Sequence, residues 1–205
     1  MTSAAVVHVV DDDDSMRTAL TRLLRAKGYE ARSYRSAGEF LMAERPDVPG
    51  CVLLDVSMPG PSGLDLHEAL TKNGDSIPVI FLTGRGDIAM SVRAMKSGAV
   101  DFLTKPVKRE ALMAAIEAAL EHDETQRATG ERRRALRERY ATLTAREREV
   151  FTRVSDGKLN KQIAAELGTS ERTVKAHRAQ VMSKLQVESV AELVRVADRL
   201  YKQMS

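Results

Sequence analysis

The sequence predicts a two-part chain. An α/β domain over residues 1–121, a five-stranded doubly wound parallel sheet, precedes a four-helix all-α helix-turn-helix domain over residues 142–205. Three observations point there. The length of 205 residues accommodates one domain of ordinary size and a compact second one. The first half alternates short β-rich runs with amphipathic helical stretches. Beyond Leu143 strands give way to closely spaced helix start and stop signals.

Taken in order, the β-rich runs are Ala5 to Val10, Ala31 to Tyr34, Cys51 to Leu54, Val79 to Leu82 and Val100 to Leu103. Between them apolar residues recur at helical spacing, as in Met16, Leu20, Leu23 and Leu24, or Leu64, Leu66, His67 and Leu70. Residues 122–141 lose apolar content and read as a charged linker, helical or flexible, with Arg132, Arg133 and Arg134 near Gly130. In the last part, Thr144, Gly157, Asn160, Gly168 and Ser170 punctuate four helices, at Ala145 to Asp156, Lys161 to Leu167, Glu171 to Leu185 and Val190 to Lys202.

Composition excludes several classes. With 43% hydrophobic and 30% charged residues the chain can bury a core and keep a hydrated surface. No apolar run approaches the roughly 20 residues a membrane span needs, and the N-terminus lacks a secretory pattern, so the expected location is the cytoplasm. The single cysteine, Cys51, has no thiol partner for an internal disulfide or a metal site and reads as strand filler. Residues 1–121 carry 14 Lys and Arg against 17 Asp and Glu, a net −3, whereas residues 122–205 carry 18 against 12, a net +6. An acidic first half suits a cation, and a basic second half suits a polyanion.

In a doubly wound sheet the carboxyl ends of the strands open onto one crevice. There this sequence places Asp11, Asp12, Asp13 and Asp14 after the first strand, Asp55 at the end of the third, Thr83 at the end of the fourth, and Lys105 after the fifth. Crowded carboxylates repel one another unless a cation compensates them, and magnesium, with its preference for hard oxygen ligands, fits best, with manganese as its substitute. A carboxylate can attack phosphorus, with metal, ammonium and hydroxyl stabilising the phosphoryl oxygens. Asp13 and Asp14 suit a helix start, where they complement the helix dipole.

The segments Val9-Val10-Asp11-Asp12-Asp13, Leu53-Leu54-Asp55-Val56-Ser57-Met58-Pro59-Gly60, Phe81-Leu82-Thr83-Gly84 and Asp101-Phe102-Leu103-Thr104-Lys105-Pro106 resemble the receiver domain of two-component response regulators, a flavodoxin-like fold, over residues 5–121. The resemblance implies that Asp55 is the phosphoacceptor. It implies that Asp11, Asp12, Asp55 and the backbone carbonyl of Ser57 hold Mg2+, that Thr83 and Lys105 bind phosphoryl oxygens, and that Phe102 is the aromatic that shifts on activation. Phe102 has no hydroxyl, so its switching must work through packing. Ser57 and Arg85 are candidate tuners of phosphate lifetime. A competing reading takes Asp11-Asp12-Asp13-Asp14-Ser15 as the nucleophile motif of haloacid-dehalogenase-type phosphatases, with Asp11 attacking and Asp13 as acid. It leaves Asp55 unexplained.

Residues Lys161 to Gln180 have the anatomy of a helix-turn-helix, with a turn at Gly168-Thr169-Ser170. Ile163, Ala164, Leu167, Val174 and Val181 form its expected core, leaving Thr173, Lys175, Ala176, Arg178 and Ala179 outward. Leu143 to Val150, Asn160-Lys161-Gln162-Ile163-Ala164 and Thr173 to Arg178 resemble the LuxR-type DNA-binding domain. The whole arrangement is similar to the FixJ/NarL group of response regulators. That resemblance implies base-edge contacts from Lys175, Ala176 and Ala179. It also implies phosphate contacts from Thr173, Arg178, Lys161 and Lys184, and a dimer helix presenting Val190, Leu193, Val194 and Ala197, a helix that can instead, or as well, close the core of its own domain. The function implied is a transcription regulator, not a turnover enzyme. A sensor histidine kinase phosphorylates it, it dimerises on activation, and it binds double-stranded promoter DNA and RNA polymerase. The alternative binding module, a receiver that acts without phosphorylation, leaves the complete set of phosphorylation residues without a role.

Overall fold

The structure is a computed structural model that describes residues 5–84 and 94–201. The chain divides into two compact units, Met1–Ala128 and Thr129–Ser205. In the first, strands β1 (Val6–Val10), β2 (Glu30–Tyr34), β3 (Gly50–Asp55), β4 (Val79–Thr83) and β5 (Asp101–Thr104) form one sheet in the order β2-β1-β3-β4-β5. Every neighbouring pair is parallel. Each expected strand is present, with ends shifted by a residue or so.

Alternation along the strands explains the two faces. On β3, Val52 and Leu54 enter one core with Phe40, Leu66, Leu70 and Phe81. Cys51 and Leu53 enter the other with Leu20, Leu24, Leu112 and Ile116. Cys51 is fully buried, and burial pushes its thiol up to about 12, so it is packing material as expected. Helices α1 (Asp14–Ala26), α2 (Ala37–Met42) and α3 (Gly63–Lys72) supply the covering side chains. The helix expected between the fourth and fifth strands falls mainly on residues 85–93, outside the described residues, and Arg85 falls there too.

Two glycines are dictated by close packing. A Cβ on Gly50 would collide with the Val6 carbonyl oxygen across the β1–β3 ladder, and one on Gly63 would collide with the Asp55 carbonyl oxygen. The first turn of α3 is thereby pressed onto the end of β3. Ser62 and Asp65 lock that turn in a reciprocal capping box.

Helix α4 spans Arg109–Ala141, so residues 122–141, expected as helical or flexible, are helical. Asp123 and Arg127 pack with the first unit: Asp123 accepts the Gly50 N–H at 3.0 Å, and Arg127 grips Asp47 with two nitrogens at 2.6 and 2.7 Å. Leu136 and Tyr140 pack with the core of the second unit. That unit continues with α5 (Ala145–Ser155), α6 (Asn160–Glu166), α7 (Glu171–Leu185) and α8 (Val190–Tyr201). Ile163, Ala164, Val174 and Val181 are buried and Leu167 is packed against them, as the helix-turn-helix reading requires. Each fully buried aliphatic side chain of this kind contributes about 1.5–3 kcal/mol.

Of the two roles open to the last helix, core closure takes Leu193 and Ala197 out of the expected dimer set. Leu193 and Ala197 of α8 are 0% and 2% exposed inside the unit's own core, alongside Val196 and Leu200. They close the domain and present nothing to a second copy. Val190 and Val194 remain partly exposed. Two apolar stripes, each at i, i+3, i+4 and i+7 spacing, overlap on this helix, and the core takes the one that runs through Val196 and Leu200.

Candidate functional site

The ends of β1, β3, β4 and β5 bring the expected residues together. Carboxylate oxygens of Asp11, Asp12 and Asp55 all lie within 4.8 Å of one another. The Lys105 ammonium sits 2.7 Å from Asp11 Oδ2 and 3.0 Å from Asp55 Oδ1. Asp11, Asp55 and Thr83 are buried, Asp12 is exposed and Lys105 is half-buried. Leu82 is the register partner of Asp55 and its carbonyl accepts the Val56 N–H, so Thr83 stands directly beyond the acidic group. The Thr83 carbonyl in turn accepts the Lys105 N–H, fixing the root of the lysine.

Electrostatics follow from this packing. Burial pushes the Asp55 carboxyl up, against the hydrogen bond and charge of Lys105, which pull it down. Burial works to lower the Lys105 ammonium, but its bonds to Asp11 and Asp55 outweigh that and raise it. Lys105 therefore carries a firm positive charge between two carboxylates, while Asp55 is a partly desolvated acid. All three carboxylates offer hard oxygen atoms, and Asp12 is open to water on one side. That donor set fits a divalent ion that keeps some of its waters.

Asp13 and Asp14 serve the helix start. Asp13 caps α1 by accepting the Ser15 and Met16 N–H groups at 2.8 and 3.2 Å, and Asp14 pairs with Arg17. With its carboxylate turned onto those amides, Asp13 is poorly placed to be the acid of the phosphatase reading. Ser57 lies on the exposed loop after β3. Phe102 is half-buried and packs on the core face, its ring 6.3 Å from Phe81, which in turn meets His67 edge-on at 5.6 Å. This aromatic column was not legible as a unit, because His67 and Phe81 each read as ordinary core positions.

In the second unit the outward face of α7 carries Lys175, Ala176 and Ala179 exposed, with Thr173 and Arg178 half-buried. Ser170 caps this helix by accepting the Thr173 N–H at 3.1 Å. Arg178 reaches Asn160 at 3.3 Å, tying α7 to α6, and Lys161 is exposed at the start of α6. Lys184 differs from the expectation of a phosphate contact. Its ammonium is held 2.6 Å from buried Glu147 and 3.2 Å from the Thr142 carbonyl, so it braces the domain from within. Glu147 also accepts the Thr144 N–H, and its carboxyl is held low, first by the Lys184 bond and then by Thr144. No described helix is long and apolar enough to cross a membrane.

Comparisons with known proteins agree with this architecture. Residues 7–117 match the response regulator receiver domain, and residues 141–197 match the LuxR family of bacterial regulatory proteins. Nodulation protein W of Bradyrhizobium diazoefficiens is 47% identical over 96% of this chain and 86% of its own length. Transcriptional regulatory protein FixJ of Azorhizobium caulinodans is 43% identical over 96% of this chain and 93% of its own. Among solved structures, response regulator StyR is 45% identical, with a TM-score of 0.86 over 96% of this chain and all of that one. Full-length FixJ from B. japonicum is 39% identical with a TM-score of 0.58 over 97% and 98%. The chain therefore belongs to the two-component response regulators of the FixJ/NarL group, transcriptional regulators in which a receiver domain precedes a LuxR-type DNA-binding domain.

Proposed function

We propose that Asp55 accepts a phosphoryl group from a sensor histidine kinase, and that this event favours a homodimer bound to promoter DNA. The observation that supports this reading most is the Lys105 ammonium, within 3.0 Å of both Asp11 and Asp55. It opposes the burial that pushes the Asp55 carboxyl up, and so favours the anionic, nucleophilic form.

In the transfer step an Asp55 carboxylate oxygen forms a bond to phosphorus while the bond from phosphorus to the kinase imidazole nitrogen breaks. The nitrogen leaves with the electron pair and takes up a proton. Lys105 and the Thr83 hydroxyl then hold phosphoryl oxygens, which draws Lys105 from Asp55 while Asp11 retains it. Asp11, Asp12, Asp55 and the Ser57 carbonyl are the residues that would hold Mg2+, or Mn2+ in its place. The chemistry a bound ion supplies is neutralisation of the charge gathered on the phosphoryl oxygens. Phe102 answers through packing on Phe81, since it has no hydroxyl to engage Thr83. The receiver gains and loses its own phosphoryl group and turns over no external substrate.

On DNA, the start of α7 enters the major groove with Lys175, Ala176 and Ala179 toward base edges, while Thr173, Arg178 and Lys161 hold phosphates. Lys184 drops out of that set because Glu147 occupies it. Val190 and Val194 are the part of α8 left for a dimer contact. The working site is the cytoplasm, where RNA polymerase is the further partner. Acetyl phosphate with Mg2+ should raise the affinity of the wild-type chain for a duplex selected from random sequences and leave Asp55→Asn unchanged. An equal response in both contradicts the reading.

A further inference from the structure

We propose that the second unit carries, besides its DNA-facing helix, a docking groove for an acidic protein segment tipped with apolar side chains. The groove runs between the last turns of α4 and helix α8, over the turn that joins α7 to α8, and encloses about 370 Å3. Arg132, Leu136 and Arg139 stand at i, i+4 and i+7 on α4, while Arg195 and Arg199 stand at i and i+4 on α8 with Val196 between them in sequence. Arginines from two helices thus line one groove whose apolar part is Leu136, Val196, Leu185 and Val187.

These guanidiniums are uncommitted. Arg132, Arg195 and Arg199 are exposed and Arg139 is half-buried. Among the described residues none of the four side chains has an ion pair or hydrogen bond, whereas Arg146 and Arg153 of the same unit pair with Glu149 and Glu166. The one acid lining the groove, Glu192, is engaged: it accepts the Glu188 N–H at 2.8 Å as a helix cap.

Three occupants can be compared. A duplex on the outward face of α7 contacts Lys175, Ala176 and Ala179. Leu185 lies six to ten residues further on, about 9–15 Å along the axis, and on the stripe of buried Val174 and Val181, turned away from that face. A phosphodiester would also gain nothing from the apolar floor. A second copy would bring the same arginines of α8 against these, which like-charge repulsion disfavours. An acidic segment satisfies both features, with carboxylates forked onto guanidiniums and a Leu or Phe side chain on the floor. This inference does not depend on phosphorylation of Asp55.

The test uses the full-length chain and a short fluorescein-labelled peptide of Glu, Asp and Leu, followed by anisotropy. A Leu→Ser peptide of equal charge serves as control. The proposal expects saturable binding that falls at least about tenfold in Arg139→Glu/Arg199→Glu and with the Leu→Ser peptide. Arg195→Gln, a milder change, should weaken it less. Melting temperature, duplex affinity and sedimentation mass should stay as in the wild type. No saturable binding, or binding indifferent to the substitutions, overturns the proposal. A parallel fall in duplex affinity would give the groove to DNA, and a change in self-association would give it to a second copy. Either also overturns it.

Discussion

In the first unit buried Asp11 and Asp55 converge with half-buried Lys105 at one end of the sheet, whereas in the second the buried acid Glu147 is absorbed into a helix cap and a pair with Lys184. Folding pushes the Asp55 carboxyl up through burial, and it holds the Glu147 carboxyl down through hydrogen bonds. Asp55 is thus held against its burial beside other charges, as groups at reactive sites often are, whereas Glu147 is settled by its hydrogen bonds. The residues proposed to meet DNA belong to neither class, because Lys175, Ala176 and Ala179 are exposed to water.

The contrast can be broken or sharpened by substitution. Gly63→Ala should act most strongly, since its Cβ must displace α3 from the Asp55 carbonyl. A loss of about 3 kcal/mol from the receiver transition is expected, at the upper end of overpacking costs, with the second unit's transition unmoved. Calorimetry of the full-length chain checks this, and a shift of both transitions alike would deny the units their independence.

The next effect concerns pH. Burial, then Arg45 and Arg32, push His8 down to about 4, below its unfolded value of 6.5. Its stabilisation of the folded receiver is therefore complete above pH 6.5 and is lost as pH falls toward 4, a change of at most about 3 kcal/mol. Asp55 and Asp123, whose carboxyls burial raises, gain folded stability over a falling pH and oppose it. The difference between wild type and His8→Gln isolates the histidine, and a difference flat from pH 7 to 4 would refute the assignment.

Glu147→Gln should cost the second unit about 1–2 kcal/mol at neutral pH by removing the Lys184 partner. The receiver transition should stay put. The loss should shrink at acid pH, where the wild-type carboxyl also loses its charge. Smallest is Lys175→Ala, about 1 kcal/mol of duplex affinity, felt more on a selected sequence than on random DNA. Lys184→Ala should instead lower thermal stability and spare duplex affinity. The reverse pattern would return Lys184 to the DNA surface.

These pairs also mark what the sequence discloses. Asp11, Asp55, Thr83 and Lys105 could be found because each ends or follows a strand, and a doubly wound sheet gathers such positions. Asp13 and Asp14 were legible as a helix start from position alone. Lys184 misled because a lysine on a recognition helix has the same local pattern whether it faces phosphate or a buried glutamate 37 positions away. Leu193 and Ala197 misled because α8 has two apolar stripes of equal spacing, and only packing chooses between them. The bond from Asp123 to Gly50 spans 73 residues and leaves no local signal.

The central claim is tested most directly by locating the phosphoryl group. The full-length chain would be treated with acetyl phosphate and Mg2+, the acyl phosphate reduced with borohydride, and the modified peptide sequenced. The account predicts modification at Asp55 alone. Modification at Asp11 or Asp12, or none at any aspartate, would contradict it.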